Sequence, residues 1–406
     1  MRISKAHFFF LIVFAVTFNS KAQWIKRTSG TTQTLLGVQM LDANTSIAVG
    51  VNGLIRRSTN SGSTWSTQTS GTNKFLRDVS FPDALTGYAA GETGTILKST
   101  DGGISWATQN SGTTSTFVHV NFLDANTGIA AGLDGVIRKT TDGGANWFAQ
   151  TSNVNVELMW AHLFNSNTGM ISGSSGLILK TTDGGNNWIN QTTGTTVDLR
   201  SVFLTSENNA VAVGLNGTII KTTDGGTTWN QITSGTNKNL YTVHFIDEMT
   251  GFAAGTGAIL KTNDGGSTWI SQPAGVSVDL YRIHFFDITH GMAVGQQGAI
   301  LYTDNGGLTG IDENNLVIPN ENFLYQNYPN PFNPSTNLQF VINSRQFVSL
   351  KVYDLLGKEI ATLINEEKTA GEYQIDFDAS RLASGIYFYR LTTNDYSSFK
   401  KMILLK

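Results

Sequence analysis

The chain of 406 residues contains no cysteine, which excludes disulfide bonds, thiolate metal sites and cysteine nucleophiles. Charged residues make up only 14%, and the net charge of −3 gives no sign of a nucleic-acid-binding protein. Proline is also scarce, with 6 residues, whereas glycine reaches 43. That profile favours many short strands and tight turns over long helices, with stability supplied by core burial alone.

Long apolar runs are also absent, apart from Phe8–Val16 near the N-terminus. Arg2 and Lys5 precede this run, and Ser20-Lys21-Ala22 has small residues at the two positions that a signal peptidase recognises. We therefore predict a signal peptide over residues 1–22. The run is short for a transmembrane helix, and a retained anchor is the alternative.

Tryptophan recurs with a fixed period along most of the chain. It stands at positions 24, 65, 106, 147, 188, 229 and 269, so the spacing is 41 residues five times and 40 once. A period near forty residues indicates a solenoid or a propeller. Each period contains four short segments with strand character, which is typical of a propeller blade. In the unit after Trp229 these segments are Leu240–Phe245, Phe252–Gly255, Ala258–Thr262 and Trp269–Gln272.

Seven sets of three strands and seven tryptophan strands can be counted, but the first tryptophan strand, Trp24–Thr28, precedes every blade. The last repeat has Gly310 where tryptophan is expected. We predict an all-β, seven-bladed β-propeller over residues 23–310, in which the N-terminal strand completes the last blade. Such closure removes the open edge of the ring.

The stretch TTDGGTTW, Thr222–Trp229, has close copies in four other repeats. Its aspartate is expected to accept hydrogen bonds from its own turn, glycine provides positive φ, and tryptophan packs on the blade. Because a catalytic acid is not normally repeated around a ring, we predict a structural role for all five aspartates. They are Asp101, Asp142, Asp183, Asp224 and Asp264, with Asn60 and Asn305 as weaker copies in the outermost blades.

These octets resemble those of the Asp-box propellers, a group with sialidases, sortilin-type receptors and some polysaccharide hydrolases. The longer frame, Phe245 to Trp269 in blade six, is most similar to the photosystem II assembly and stability factor family. Blade six lacks one residue between Gly255 and Gly257, and blade five has Ala210 at the first glycine. The resemblance implies a propeller that acts as a non-enzymatic assembly chaperone for a membrane complex.

After a polar segment, residues 311–322, which we interpret as a linker, apolar and polar residues alternate in three stretches: Ser349–Tyr353, Tyr373–Phe377 and Ile386–Leu391. Alternation of this kind predicts a small antiparallel β-sandwich over residues 323–406.

Four motifs in this segment resemble the C-terminal sorting domain of the type IX secretion system. They are Tyr328–Pro334 (YPNPFNP), Asp354-Leu355-x-Gly357, Gly371-x-Tyr373 and Ser384–Tyr387. The resemblance implies type IX secretion machinery as a partner of residues 323–406. It also implies passage through the periplasm and outer membrane, followed by release or retention on the outer cell surface. We expect a monomer, associated with the outer-membrane surface if the sorting domain is retained.

Positions 10 to 13 after each tryptophan vary most between repeats, and in a propeller they rim one mouth of the central channel. Arginine and aromatic residues there are typical of recognition surfaces, whereas inter-blade ion pairs and packing are the alternative. The candidate rim consists of Arg77, Arg200, Arg282, Glu157, Asp198, Asp279, Trp160, Tyr241 and Tyr281.

Two further sets of residues recur at one repeat position each. His162, His244 and His284 share a position on the innermost strand, where channel packing and a metal site are both conceivable. We favour packing and predict no metal and no cofactor. The third-strand lysines are expected on a solvated face: Lys98, Lys139, Lys180, Lys221 and Lys261.

No catalytic motif is recognisable in the sequence. The Arg-Ile-Pro signature of sialidases is absent, as are Ser-His-Asp elbows, His-Glu-x-x-His and phosphate loops. The carboxylates Glu157, Asp198 and Asp279 could serve a glycosidase, but nothing fixes their separation. We predict no catalytic residues and a secreted or surface-displayed module that binds a protein or glycan, with a secreted glycoside hydrolase as the alternative.

Overall fold

The computed structural model of the chain describes residues 24–307, 322–327 and 329–405. The chain forms two compact units, which divide after position 310. The predicted signal peptide and residues 311–321 of the predicted linker lie outside the described residues, so these domain boundaries remain predictions. Within the described residues, no helix is long and apolar enough to cross a membrane.

The first unit consists of seven four-stranded antiparallel sheets, as the prediction of a seven-bladed propeller requires. The first strands are Leu35–Met40, Leu76–Ser80, Phe117–Phe122, Leu158–Leu163, Leu199–Leu204, Leu240–Phe245 and Leu280–Phe285. The second strands are Ser46–Gly50, Gly87–Gly91, Gly128–Gly132, Gly169–Gly173, Ala210–Gly214, Gly251–Gly255 and Gly291–Gly295. The third strands are Ile55–Ser58, Ile96–Ser99, Ile137–Thr140, Ile178–Thr181, Ile219–Thr222, Ala258–Thr262 and Ala299–Thr303. The fourth strands of blades one to six are Ser66–Gln68, Ala107–Gln109, Phe148–Gln150, Ile189–Asn190, Asn230–Ile232 and Ile270–Gln272.

Short 3₁₀ turns join the second and third strands in six of the blades: Val51–Gly53, Glu92–Gly94, Leu133–Gly135, Ser174–Gly176, Leu215–Gly217 and Gln296–Gly298.

The N-terminal strand completes blade seven, which confirms the predicted closure. Ile25–Thr28 pairs antiparallel with the third strand of that blade, Ile25 opposite Tyr302 and Thr28 opposite Ala299. The ring of Trp24 is only 4% exposed and meets the Phe252 and Phe285 rings edge-on, with centroids 6.4 Å and 5.8 Å away. The chain therefore locks its first strand against blades six and seven, which lie last in the sequence.

Each innermost strand is an edge strand, and in blades one to six a side chain of the preceding blade accepts one or two of its free backbone N–H groups. The Val120 N–H donates to the Asp78 carboxylate at 3.1 Å, and the Phe122 N–H donates to the Ser80 hydroxyl at 3.0 Å. The same two positions repeat around the ring, with acceptors His119, Asn121, His162, Ser201, His284 and Gln39. These capping bonds tie neighbouring blades together along the channel, where unpaired N–H groups would otherwise be costly.

The octets form the turns between third and fourth strands. In blade five, Asp224 accepts the Thr228 N–H at 2.9 Å and the Thr222 hydroxyl at 2.8 Å. Hydrogen bonds from the Thr228 side chain and backbone lower the pKa of Asp224 to about 2. The other four aspartates, Asp101, Asp142, Asp183 and Asp264, accept equivalent bonds from their own turns.

The prediction of a solvated face for the third-strand lysines is wrong. Lys98 Nζ donates to the Gly143 carbonyl at 2.7 Å, which belongs to the octet of the next blade. The same bond recurs from Lys139, Lys180 and Lys261, and Lys221 instead donates to Ser267. The ammonium groups therefore connect adjacent blades; Lys261 is buried, and the other four side chains are only partly exposed.

The second unit is a β-sandwich, as predicted. One sheet has three strands, Phe323–Leu324, Ser335–Ile342 and Gly371–Asp378. The other has four, Glu359–Lys368, Gln346–Tyr353, Gly385–Thr392 and Ser397–Leu404. Alternating residues such as Leu338, Phe340, Leu350 and Tyr389 fill the core between the sheets.

Candidate binding sites in the central channel

A β-bulge at the start of each first strand positions the variable residues. In blade two the pairing register skips Arg77 between Leu76 and Asp78, and the same shift occurs in the other six blades. A bulge leaves its extra residue unpaired and re-aims the side chain. All seven bulge residues face one depression of about 260 Å³, the mouth pocket, which is lined by Leu36, Arg77, Val118, Met159, Arg200, Tyr241 and Tyr281 together with Glu157 and Arg282.

The mouth pocket carries cations that are only partly neutralised. Arg200 forms an ion pair with Asp198 at 3.2 Å, with both side chains about one-third exposed. Arg77 forms no ion pair with any residue that the structure describes, and its buried Nε has no hydrogen-bond partner there. Glu157 lines the same pocket. The Arg77 guanidinium is therefore available to an acidic group that enters the mouth.

Two tyrosines form the aromatic side of the mouth pocket. The rings of Tyr241 and Tyr281 lie 5.3 Å apart, and the Gln296 side-chain amide donates to the Tyr281 hydroxyl at 2.9 Å. Burial raises the pKa of Tyr281, so this hydroxyl stays protonated near neutral pH. Rigid aromatic surface with a polar tip is suited to recognition at low entropic cost.

Two carboxylates of the candidate rim do not line the mouth pocket and are held at its edge by other contacts. Asp198 accepts the Ser175 N–H at 2.9 Å, which places it against the 3₁₀ turn of the preceding blade. Asp279 accepts the Thr256 hydroxyl at 2.7 Å and the Gln296 amide at 2.9 Å. Glu157 has the same repeat position and lines the mouth pocket, whereas Asp198 and Asp279 do not line it.

Below the mouth pocket, four side chains from four blades close the channel; we call this group the plug. Arg282 of blade seven crosses to Asp78 of blade two at 2.8 Å, and its guanidinium lies 4.1 Å from the Trp160 ring centroid. His119 Nε2 is 3.2 Å from the second Asp78 oxygen. Trp160 and Arg282 are 7% and 8% exposed; Trp160 lies in the channel interior, and Arg282 is buried between the plug and the mouth pocket.

Charge in the plug is balanced internally. Burial raises the pKa of the Asp78 carboxyl, while Arg282 opposes the shift. Burial likewise lowers the pKa of Arg282, and Asp78 opposes that change. Sequence reasoning passed over Asp78 and His119, although both share the repeat position of Trp160 and Arg282. That shared position was the signal that could have found them.

A second cavity, of about 220 Å³, lies on the other side of the plug; we call it the lower pocket. His162, His244 and His284 are all in its wall, beside Phe203, Ser80 and Asn121. The His244 and His284 ring centroids are 4.7 Å apart. Burial lowers the pKa of His162 to about 3 and that of His244 to about 4. Among the described residues, no group of three or more His, Cys, Asp or Glu side chains is arranged to hold a metal ion.

Two family models match the chain. Residues 105–196 and 189–263 match the model described as photosynthesis system II assembly factor YCF48, and residues 326–405 match the secretion system C-terminal sorting domain. Both resemblances drawn from the sequence are thereby confirmed. No match to a curated protein was found.

Several solved structures share the fold of the chain. A structure of YCF48 bound to D1 peptide has 23% identity and a TM-score of 0.61, covering 70% of this chain and 95% of its own. YCF48 from Cyanidioschyzon merolae has 22% identity and a TM-score of 0.60, covering 70% and 99%. The GH74 enzyme of Niastella koreensis has 15% identity and a TM-score of 0.56, covering 79% of this chain and 59% of its own. At such identities the likeness extends to the fold alone.

Proposed function

We propose that this chain, a propeller of the YCF48 type followed by a secretion system C-terminal sorting domain, is an exported, non-enzymatic protein that binds a segment of another protein in its mouth pocket. The observation that carries the proposal is the composition of the mouth pocket. Its bulge residues bring an unpaired arginine, Arg77, and the aromatic pair Tyr241 and Tyr281 into one depression. Arginine and tyrosine are the residues that most often dominate binding energy at protein interfaces.

The ligand segment is expected to carry an acidic group. Arg77 lacks an ion pair within the described residues, whereas Arg200 is only partly compensated by Asp198. A carboxylate at this place would receive charge-assisted hydrogen bonds, which are stronger than neutral ones. The structure of YCF48 bound to D1 peptide motivates the choice of a peptide over a glycan as ligand.

The mouth pocket is poorly suited to glycoside hydrolysis. A glycosidase needs two carboxyl groups facing each other across the substrate. Of the three candidate carboxylates only Glu157 lines the mouth pocket, because Asp198 and Asp279 are held by neighbouring loops. The likeness to the GH74 enzyme keeps hydrolysis as the alternative that experiment must distinguish.

The second unit supports export to the cell surface. Its match to the secretion system sorting domain covers residues 326–405, almost the whole sandwich. We propose that this unit directs passage through the type IX machinery after a signal peptide has brought the chain to the periplasm. The mouth pocket would then be displayed outside the cell, on a released or surface-retained protein.

The test is a screen of the mature chain on arrays of acidic and neutral peptides, in parallel with a glycan array and a polysaccharide hydrolysis assay. The Kd of each peptide that binds is then measured with the double variant R77A/R200A. We expect the Kd to rise at least tenfold, which is about the free energy lost with one charge-assisted hydrogen bond. K26A, which removes an exposed cation from the outermost strand of blade seven, is the matched control and should bind normally. Unchanged binding in R77A/R200A would refute the site, and turnover of a glycoside would replace the proposal by the hydrolase.

A further inference from the structure

We propose that the lower pocket is a separate binding site for a small oxyanion, such as a short carboxylate or inorganic phosphate, and that its wall is built to donate hydrogen bonds. The mouth pocket and the lower pocket have only Arg282 in common, and the plug lies between them. The inference is therefore independent of the proposed protein ligand.

The donor character follows from the way neighbouring blades are joined. Asn121 uses its carbonyl oxygen to accept the Leu163 N–H at 2.8 Å, and the Ser80 hydroxyl oxygen accepts the Phe122 N–H at 3.0 Å. Both side chains keep donor groups that these bonds do not use: the NH₂ group of Asn121 and the O–H of Ser80. Because each of these oxygens already accepts a backbone N–H, the hydrogens of the Asn121 amide and the Ser80 hydroxyl are the groups that a ligand in the lower pocket can engage.

His162 and His284 also accept a backbone N–H of the next blade and keep a donor group. The Leu204 N–H donates to His162 Nδ1 at 3.1 Å, and the Met40 N–H donates to His284 Nδ1 at 3.3 Å. A ring nitrogen that accepts a hydrogen bond carries no proton, so the single proton of each neutral imidazole sits on Nε2. Burial lowers the pKa values of both rings, which keeps them neutral near pH 7.

The chain contains an internal precedent for a carboxylate held by this tautomer. His119 accepts the Ala161 N–H on Nδ1 at 3.3 Å, and its Nε2 lies 3.2 Å from the Asp78 carboxylate. An Nε2–H group thus already lies beside a carboxylate in the part of the lower pocket's wall that the plug forms. His162 and His284 have the same capping bond two residues further along the strand, but within the described residues neither ring forms an ion pair with an aspartate or glutamate.

The same tautomers argue against a transition metal. A metal needs the lone pair of a ring nitrogen, and ligating histidines normally give their other N–H to an acceptor. In His162 and His284 the arrangement is reversed, because Nδ1 already accepts a backbone N–H and Nε2 holds the proton. Asp78, the acidic residue in the wall of the lower pocket, is neutralised by Arg282. The lower pocket therefore complements an anion.

Its size suits a small ligand. A volume of about 220 Å³ corresponds to about seven water molecules, enough for acetate or phosphate with some of its hydration.

The experiment uses the full mature chain and measures binding of sodium acetate and inorganic phosphate by calorimetry, at constant ionic strength set with sodium chloride. The key variant is H162Q/H284Q. Gln39 occupies the same repeat position in blade one, where it accepts the Phe81 N–H at 2.7 Å and donates to the Phe81 carbonyl at 2.8 Å. Glutamine therefore preserves the bonds between blades while its amide bonds to the backbone of the next blade.

We expect at least one of the two anions to bind the wild-type chain and to bind H162Q/H284Q at least about tenfold more weakly. A second variant, N121D, keeps an acceptor for the Leu163 N–H and puts a negative charge in the wall, so it should also abolish binding. Equal binding by wild type and both folded variants, or no binding of either anion by the wild type, would overturn the proposal. Binding of Zn²⁺ by the wild type that is lost in H162Q/H284Q would overturn the tautomer assignment on which it rests.

Discussion

The propeller should lose stability between pH 7 and pH 5 because its channel histidines are buried in the neutral form. His162 has a pKa of about 3 and His244 of about 4 in the folded state, against an ordinary value of 6.5 in an unfolded chain. Lowered values mean that the unfolded chain binds more protons, so the stabilisation is complete above about pH 6.5 and disappears as the pH falls towards 4 and below. At pH 5 each ring remains neutral when folded and is mostly charged when unfolded, which costs about 2 kcal/mol per histidine.

The acidic residues of the octets should contribute little to this change of stability with pH. The octet carboxylates Asp101, Asp183 and Asp224 have pKa values of about 2, held down by hydrogen bonds within their turns, so they stay ionised throughout this pH range. Asp78 acts in the opposite sense, since burial raises its pKa.

The assay is denaturant unfolding at pH 7, 6 and 5, followed by tryptophan fluorescence. All eight tryptophans lie between Trp24 and Trp269, so the signal reports on the propeller even in the full chain. The variant H162Q keeps an acceptor for the Leu204 N–H and should lose about 2 kcal/mol less than the wild type between pH 7 and pH 5. Equal stability of the wild type at both pH values, or an identical loss in H162Q, would refute the reasoning.

Two further predictions concern packing in the blades. A Cβ at Gly128 would lie 2.6 Å from the Phe122 ring, so G128A should destabilise the propeller by about 1–3 kcal/mol. The double variant F122L/G128A should recover most of that loss, because blade five already pairs Leu204 with Ala210; equal unfolding midpoints for G128A and the double variant would contradict this account. W24A should cost about 3–5 kcal/mol, measured by circular dichroism in denaturant, and a loss below about 1 kcal/mol would show that the N-terminal strand does not hold the ring closed.

The repeat made much of the fold predictable from local chemistry. An octet such as Thr222–Trp229 contains its own hydrogen-bonded turn. Because one octet occurs in each blade, the number of octets predicts the number of strands and the closure of the ring. Trp24 could therefore be assigned to blade seven although 278 positions separate it from Tyr302. The lysines were mispredicted because their partners, octet carbonyls of the next blade, are main-chain atoms that carry no sequence signal.

The candidate site was predictable only as a set of positions. The sequence by itself determined which residues follow each tryptophan by ten to thirteen positions, and hence which ones can reach the channel. Only the tertiary structure decided their directions, because a bulge in each first strand sends Arg77 to the mouth and its neighbour Asp78 into the plug. Whether Arg282 meets Asp78 depends on closure of all seven blades, since pairing across a channel is a property of the ring and not of any one repeat.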